Sequence, residues 1–234
     1  MSRPCHVLRV FTRGDEGGNH LGVVTDTTGL DAVRMQAIAT DLGYSETIFV
    51  DRAAPSPAPR VRIFTPEDEL PFAGHPLVGC AWMLSMLGLG ATGTIMTPVG
   101  PVGYSVDGDR VIVQAALDIA VLDPNDVTEA ALKAGMPEPV DTVRLGLPKE
   151  YLVADYGEFG TIQSLTPRMD ALADRFGFLA YARAGDEVRA RFFAPGTAVP
   201  EDPATGSAAM ALAHSFKLRG EPEGSVTVYQ GDEI

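Results

Sequence analysis

Two strand-like segments occur twice in this chain at one spacing. "VVTD" (Val23 to Asp26) is matched by "LVAD" (Leu152 to Asp155), and "RIFTP" (Arg62 to Pro66) by "RFFAP" (Arg191 to Pro195), each pair 129 positions apart. A solenoid repeats one small unit every few tens of residues, so a period this long signals two related domains instead. The intervening segments agree. In the first half "DAVRMQAIATDLG" places Met35, Ile38, Ala39 and Leu42 on one helical face and stops at Gly43, and "SETIFV" then reads as a strand. In the second half "PRMDALADRFG" is expected to be the matching helix, ending at Gly177, with "FLAYAR" as the matching strand. Each copy then reaches its R-(I/F)-F-(T/A)-P strand and loop, followed by a helix rich in small residues: "AGHPLVGCAWML" in the first, "PATGSAAMALA" in the second.

Each half therefore reads as an α+β unit, mostly strands, with one long helix that a mixed sheet could wrap. The boundary is expected in "LDIAVLDPND", dividing the chain into domains 1–118 and 119–234. If two such domains face each other about a pseudo-two-fold axis, the helix starts at Gly74-His75-Pro76 and Thr205-Gly206-Ser207 can point into one cleft. Converging helix N-termini suit a small carboxylate, because their first N–H groups lack intrahelical partners and carry partial positive charge.

Two stretches invite other readings. No Asp, Glu, Lys or Arg occurs from Leu70 to Val106, but Pro76, Pro98, Pro101 and several glycines cut this run into a buried helix, turns and a strand, not a membrane span. Inside it "GLGATG" (Gly88 to Gly93) fits the dinucleotide-binding pattern, which needs a strand before and a helix after. Here a helix precedes and "TIMTPVG" follows, so the segment reads as a helix C-terminus and turn.

Composition narrows the function. A formal charge of −13 argues against nucleic acid or an anionic membrane as the main partner, since both select a basic face. Cys5 and Cys80 are the only cysteines, too few for a disulfide framework or a four-cysteine metal site, and His6, His20, His75 and His214 show no ligand spacing. No metal is expected. The N-terminal stretch lacks the apolar core of a signal peptide, and a cytoplasmic location is expected.

Three residues stand out chemically. Glu46 interrupts an otherwise apolar strand, which reads either as a strand-edge turn with Ser45 in water or as a half-buried carboxyl able to exchange a proton near neutral pH. His75 sits between a glycine and the proline that opens a helix, as a packed turn residue or as an imidazole held at the mouth of a cleft. Asp202, in "PEDPATGSAAMALA", is either a helix-end charge or a site residue; the Gly206 that follows costs a helix roughly 1 kcal/mol relative to Ala unless something must approach its N–H groups. His6 and His214 read as a first-strand residue and a late helix residue.

"GNHLGVV", "SETIFV", "RIFTPEDELPFAGHPLVG" and "FFAPGTAVPEDPATGSA", in this order, resemble the phenazine biosynthesis PhzF-like proteins, which share the diaminopimelate epimerase-like fold. The resemblance covers nearly the whole chain. It implies two pseudo-symmetric α+β domains, each a mixed sheet wrapped around a central helix, an active site between them, a homodimer, and no metal or organic cofactor. It further implies that Glu46 is the acid/base that moves a proton between carbons, as in family members acting on trans-2,3-dihydro-3-hydroxyanthranilate. His75 and Asp202 would flank the substrate, and Asn19, Ser45, Gly74, Thr205, Gly206 and Ser207 would help hold its polar groups. Racemases of this fold place a cysteine on each facing loop; those loops here read "AGHP" and "EDPATGS", so one carboxylate acting on one face fits better.

The chain departs from the family where Gly18-Asn19-His20 stands for the usual Gly-Asn-Pro, leaving His20 as a candidate polar contact. Relatives also continue past "VTVYQGDEI" with strands that complete the second sheet and return to the first domain, and an exposed edge is expected here. The expected function is a cofactor-independent isomerase of a small carboxylated acid. The alternative is a catalytically weak carboxylate-binding protein on the same fold.

Overall fold

The computed structural model describes residues 4–52, 58–195, 197 and 199–231. The chain divides into two compact units, Met1–Leu117 and Asp118–Ile234.

In the first unit the elements run β1 (Cys5–Val10), β2 (Asn19–Val24), α1 (Ala32–Leu42), β3 (Glu46–Asp51), β4 (Arg60–Phe64), β5 (Glu69–Leu70), α2 (Gly74–Met86), β6 (Thr92–Thr97), β7 (Gly100–Asp107) and β8 (Arg110–Ala115). They form one sheet in the order β1-β2-β3-β4-β6-β7-β8, with β5 also on β4. The β2–β3 and β4–β6 pairs are parallel and the rest antiparallel. The sheet wraps α2, which touches β1, β2, β3, β6, β7 and β8. A helix that meets sheet on most sides must be apolar on most sides, and nine residues of α2 are buried, among them Leu77, Cys80, Ala81 and Leu84. On the sheet's other face Met35 and Ala39 of α1 pack on Val24, Phe49 and Phe64. Both faces of β3 are therefore covered, which is why "IFV" is apolar without alternation. Asp31 caps α1 by accepting from the Arg34 N–H at 2.9 Å, and Gly43 ends it at φ 66°, a left-handed backbone that glycine adopts without a Cβ clash.

The second unit runs β9 (Ala120–Leu122), α3 (Asn125–Lys133), β10 (Asp141–Leu147), β11 (Lys149–Asp155), α4 (Phe159–Ser164), a 3₁₀ turn (Met169–Leu172), β12 (Gly177–Ala184), β13 (Glu187–Phe193), β14 (Glu201–Asp202), α5 (Gly206–Leu218) and β15 (Thr227–Gln230). Its sheet order is β14-β13-β12-β11-β10-β9, with β15 also on β13. From β10 onward the pairing repeats the first unit: β10–β11 antiparallel, β11–β12 parallel, β12–β13 and β13–β14 antiparallel, β13–β15 parallel. The helices α2 and α5 are each 13 residues long. The α+β duplication expected from the 129-residue spacing is present, with β10 to β15 repeating β1 to β6, while β7, β8 and β9 have no counterpart among the described residues.

One element differs from expectation. "PRMDALADRFG" is not a helix ending at Gly177; it holds only the 3₁₀ turn, and α4 lies before it. Leu172 is fully buried, and with Met169 it gives the segment one apolar anchor where a full amphipathic helix needs a stripe. Nor does Gly177 act as a helix cap. It opens β12, and a Cβ there would lie 2.2 Å from the Phe192 ring, so glycine is required for close approach. By contrast "GLGATG" does follow α2 and precede a strand, as expected of a helix end and turn.

Candidate active site

In the first unit, four side chains singled out from sequence form a continuous polar line through an apolar core. Asn19 opens β2 and is 4% exposed; its Oδ1 accepts from Ser45 Oγ at 2.7 Å. Ser45 precedes Glu46, the first residue of β3, whose backbone lies opposite Leu21 in the parallel ladder. Glu46 Oε2 stands 3.3 Å from Nδ1 of His75, with side-chain exposures of 15% and 2%. Gly74 and His75 are the first two residues of α2, so the turn that starts the helix also delivers the imidazole to the carboxyl. Of the two readings of Glu46, the solvated strand-edge turn does not hold.

Burial dominates the chemistry of this carboxyl. Removal from water disfavours the ionised form and pushes Glu46 from 4.5 to about 7, and the Ser45 hydroxyl offsets part of that rise. A serine has one hydrogen, so donation to Asn19 and donation to Glu46 are alternatives. Oε2 of Glu46 has no aligned hydrogen bond among the described residues, leaving only the close imidazole beside it. A carboxyl that titrates near 7 can both take and return a proton at neutral pH. Cys80 lies wholly buried within α2, where burial pushes the thiol up to about 12, so it offers no thiolate. His20, exposed in β2, stacks on Tyr44 with ring centroids 6.0 Å apart.

The second unit gathers the other candidates at the start of α5. Asp202 belongs to β14 and is 8% exposed; Thr205 is the residue before the helix; Gly206 and Ser207 are its first two residues. Thr205 does not cap the helix with its side chain. Its hydroxyl instead donates to Asp202 Oδ2 at 2.5 Å. Two partners went unseen in the sequence. The amide nitrogen of Gln230 in β15 donates to the Asp202 carbonyl at 2.7 Å and to Thr205 Oγ1 at 3.0 Å. The Tyr151 hydroxyl in β11 donates to Ser207 Oγ at 2.7 Å, its ring held between Phe176 and Phe192. A tyrosine in a buried strand needs a partner for its hydroxyl, which was the available signal for Tyr151; for Gln230 there was none. Among the described residues no three His, Cys, Asp or Glu side chains are grouped to hold a metal ion, and no helix is long and apolar enough to cross a membrane.

The duplicated topology and its central helices define the diaminopimelate epimerase-like class of α+β proteins. A hydroxyproline epimerase from Agrobacterium vitis shares the fold at a TM-score of 0.63 with 12% identity, over 94% of this chain and 78% of that one. A PhzF family phenazine biosynthesis protein from Enterococcus faecalis superposes at 0.75 with 22% identity, over 99% of this chain and 88% of that one. The sequence goes further than the fold, because the phenazine biosynthesis-like protein family matches residues 8–136 and 158–234. The trans-2,3-dihydro-3-hydroxyanthranilate isomerase of Pseudomonas aeruginosa is 35% identical over 245 residues, spanning 97% of this chain and 85% of that protein. This chain belongs to the phenazine biosynthesis-like (PhzC-PhzF) family, and it is an isomerase of that family.

Proposed function

We propose that the chain moves a proton between carbons of a small carboxylated substrate, a cyclic amino or hydroxy acid of the kind named for its Pseudomonas aeruginosa relative. Glu46 is the proton carrier. His75 polarises the substrate and steadies the carboxyl; Asn19 and Ser45 set the hydrogen bonding around it. Asp202, Thr205 and Ser207, with the backbone N–H groups of Gly74 and Gly206, orient the substrate's polar groups. No step requires a metal or an organic cofactor. In this reading the protein works in the cytoplasm as a homodimer, a state that light scattering on the eluted protein reports directly.

The observation that carries the proposal is Glu46 itself: an acid built into a core strand, pushed to about 7, and placed 3.3 Å from a buried imidazole. Such a group is costly to bury and contributes nothing to packing that Leu or Met would not, so its presence points to chemistry. Removing a positioned acid/base typically lowers rate by about 10²- to 10⁴-fold. Glu46→Gln keeps the shape but cannot carry the proton. The expected outcome is loss of deuterium uptake from heavy water into substrate by at least that factor, with substrate affinity held within a few fold. Unchanged exchange would reject Glu46 as the carrier. Binding without exchange by the wild-type protein, across a panel of such acids, would make this a carboxylate-binding protein instead.

A further inference from the structure

Gln230 closes β15 and belongs to none of the motifs read from the sequence. Its side-chain amide faces the Asp202 carbonyl oxygen at 2.7 Å. A backbone carbonyl only accepts, so the atom facing it must be the NH₂ group and not the amide oxygen. The same nitrogen lies 3.0 Å from Thr205 Oγ1, which consequently accepts there. A threonine hydroxyl has a single hydrogen; with one lone pair engaged by Gln230, that hydrogen goes to Asp202 Oδ2 at 2.5 Å. Oδ2 therefore accepts at this contact. The contacts run in sequence from a strand end to the Asp202 carboxyl.

We infer that Gln230 is a positioning residue that acts through Thr205 to hold Asp202 as a hydrogen-bond acceptor, so that the substrate must present an N–H or O–H donor to this carboxylate. The inference rests on the proposed role of Asp202 as a substrate contact and sharpens it. A carboxylate has room for about four hydrogens around its two oxygens, so the bond from Thr205 leaves it able to accept from a ligand. An acid that lacks the donor would bury Asp202 against an apolar or like-polarity surface, which costs more than the lost bond alone. Ser207 has the opposite polarity. The phenol of Tyr151 is the stronger acid of the pair and donates to Ser207 Oγ, which leaves the serine hydrogen for an acceptor such as a substrate carboxylate. An acceptor at Asp202 and a donor at Ser207 together describe an amino or hydroxy acid.

The test measures binding of 2-amino-3-hydroxybenzoate and of benzoate, which share ring and carboxylate and differ in the two donors. Wild type, Gln230→Leu, Thr205→Val and the double variant are compared. Wild type is expected to prefer the amino-hydroxy acid by at least about tenfold, the usual scale for a hydrogen bond to a charged group. Gln230→Leu should lose most of that preference with benzoate affinity unchanged. Thr205→Val, nearly isosteric and so the safer variant for folding, should lose the same preference between the two acids, and the double variant should lose no more of it than either alone, because the residues act in one relay. If Gln230→Leu weakens both ligands equally, keeps the preference, or adds to Thr205→Val, the inference is overturned while the proposed function stands. A wild-type protein that does not distinguish the two acids overturns the role of Asp202 and the inference with it.

Discussion

Glu46 carries a cost that pH should expose. An ordinary glutamate titrates near 4.5, and burial moves this one to about 7. Below about 4.5 the carboxyl holds its proton in both the folded and unfolded chain, so it makes no difference between them. Between 4.5 and 7 only the folded chain holds it. Folding then takes up a proton, and stability falls as pH rises through this window, by up to about 1.4 kcal/mol per pH unit, before levelling above it. Glu46→Gln cannot ionise and lacks the penalty. Its thermal midpoint should therefore gain on wild type as pH rises from 4.5 to 7 and hold a constant lead beyond. A lead that does not change with pH would mean that Glu46 is solvated, and the proposed chemistry would lose its basis.

At the scale of elements, the same device appears twice. Arg62 grips Glu69 with two bonds of 2.6 and 2.5 Å, and Arg191 grips Glu201 at 2.6 and 2.8 Å; each guanidinium also lies over a phenylalanine of its own strand, Phe64 or Phe193. These forks tie β4 to β5 and β13 to β14, the short strands that lead to His75 in one unit and carry Asp202 in the other. Their energetic weights differ. The Arg62 side chain is 37% exposed, and exposed pairs are worth about 1 kcal/mol or less. The Arg191 side chain is 9% exposed and also donates to the carbonyls of Ile162 and Leu165 at the end of α4. Replacing it leaves Glu201 and two carbonyls uncompensated, at about 3–5 kcal/mol. Arg191→Met should thus lower the urea midpoint severely and Arg62→Met barely; comparable losses would contradict this account. The sequence held the strands of both forks, because "RIFTP" and "RFFAP" are local and periodic. It also held Glu46 and His75, polar residues set in apolar runs. It could not show the bonds of Gln230 to Asp202 or Tyr151 to Ser207, which join residues 28 and 56 positions apart, nor that Gly177 serves close approach to Phe192 where Gly43 serves a helix cap.

Across the whole molecule the two units share topology but not chemistry. The antiparallel ladders pair Thr47 with Phe64 and Phe178 with Phe193, 129 positions on, while the parallel ladders, counted at the same spacing, differ by one residue and set Gly177 where Thr47 stands. On the antiparallel ladder Gly177 holds the place of Glu46, and the Phe192 ring fills the space that a side chain there would need. Ser207 likewise stands second in α5 where His75 stands second in α2. Duplication supplied two scaffolds, and only the first carries an acid at this position. A racemase that inverts a centre needs a proton donor and an acceptor on opposite faces of its substrate, whereas one carboxyl takes and returns the proton on one face. The stereochemistry of the product follows. With any acid that the wild-type protein exchanges, turnover in heavy water should place deuterium on the same face from which the proton left. Neutron or NMR assignment of that face decides the matter: delivery to the opposite face would require a second proton carrier and would end the single-carrier account.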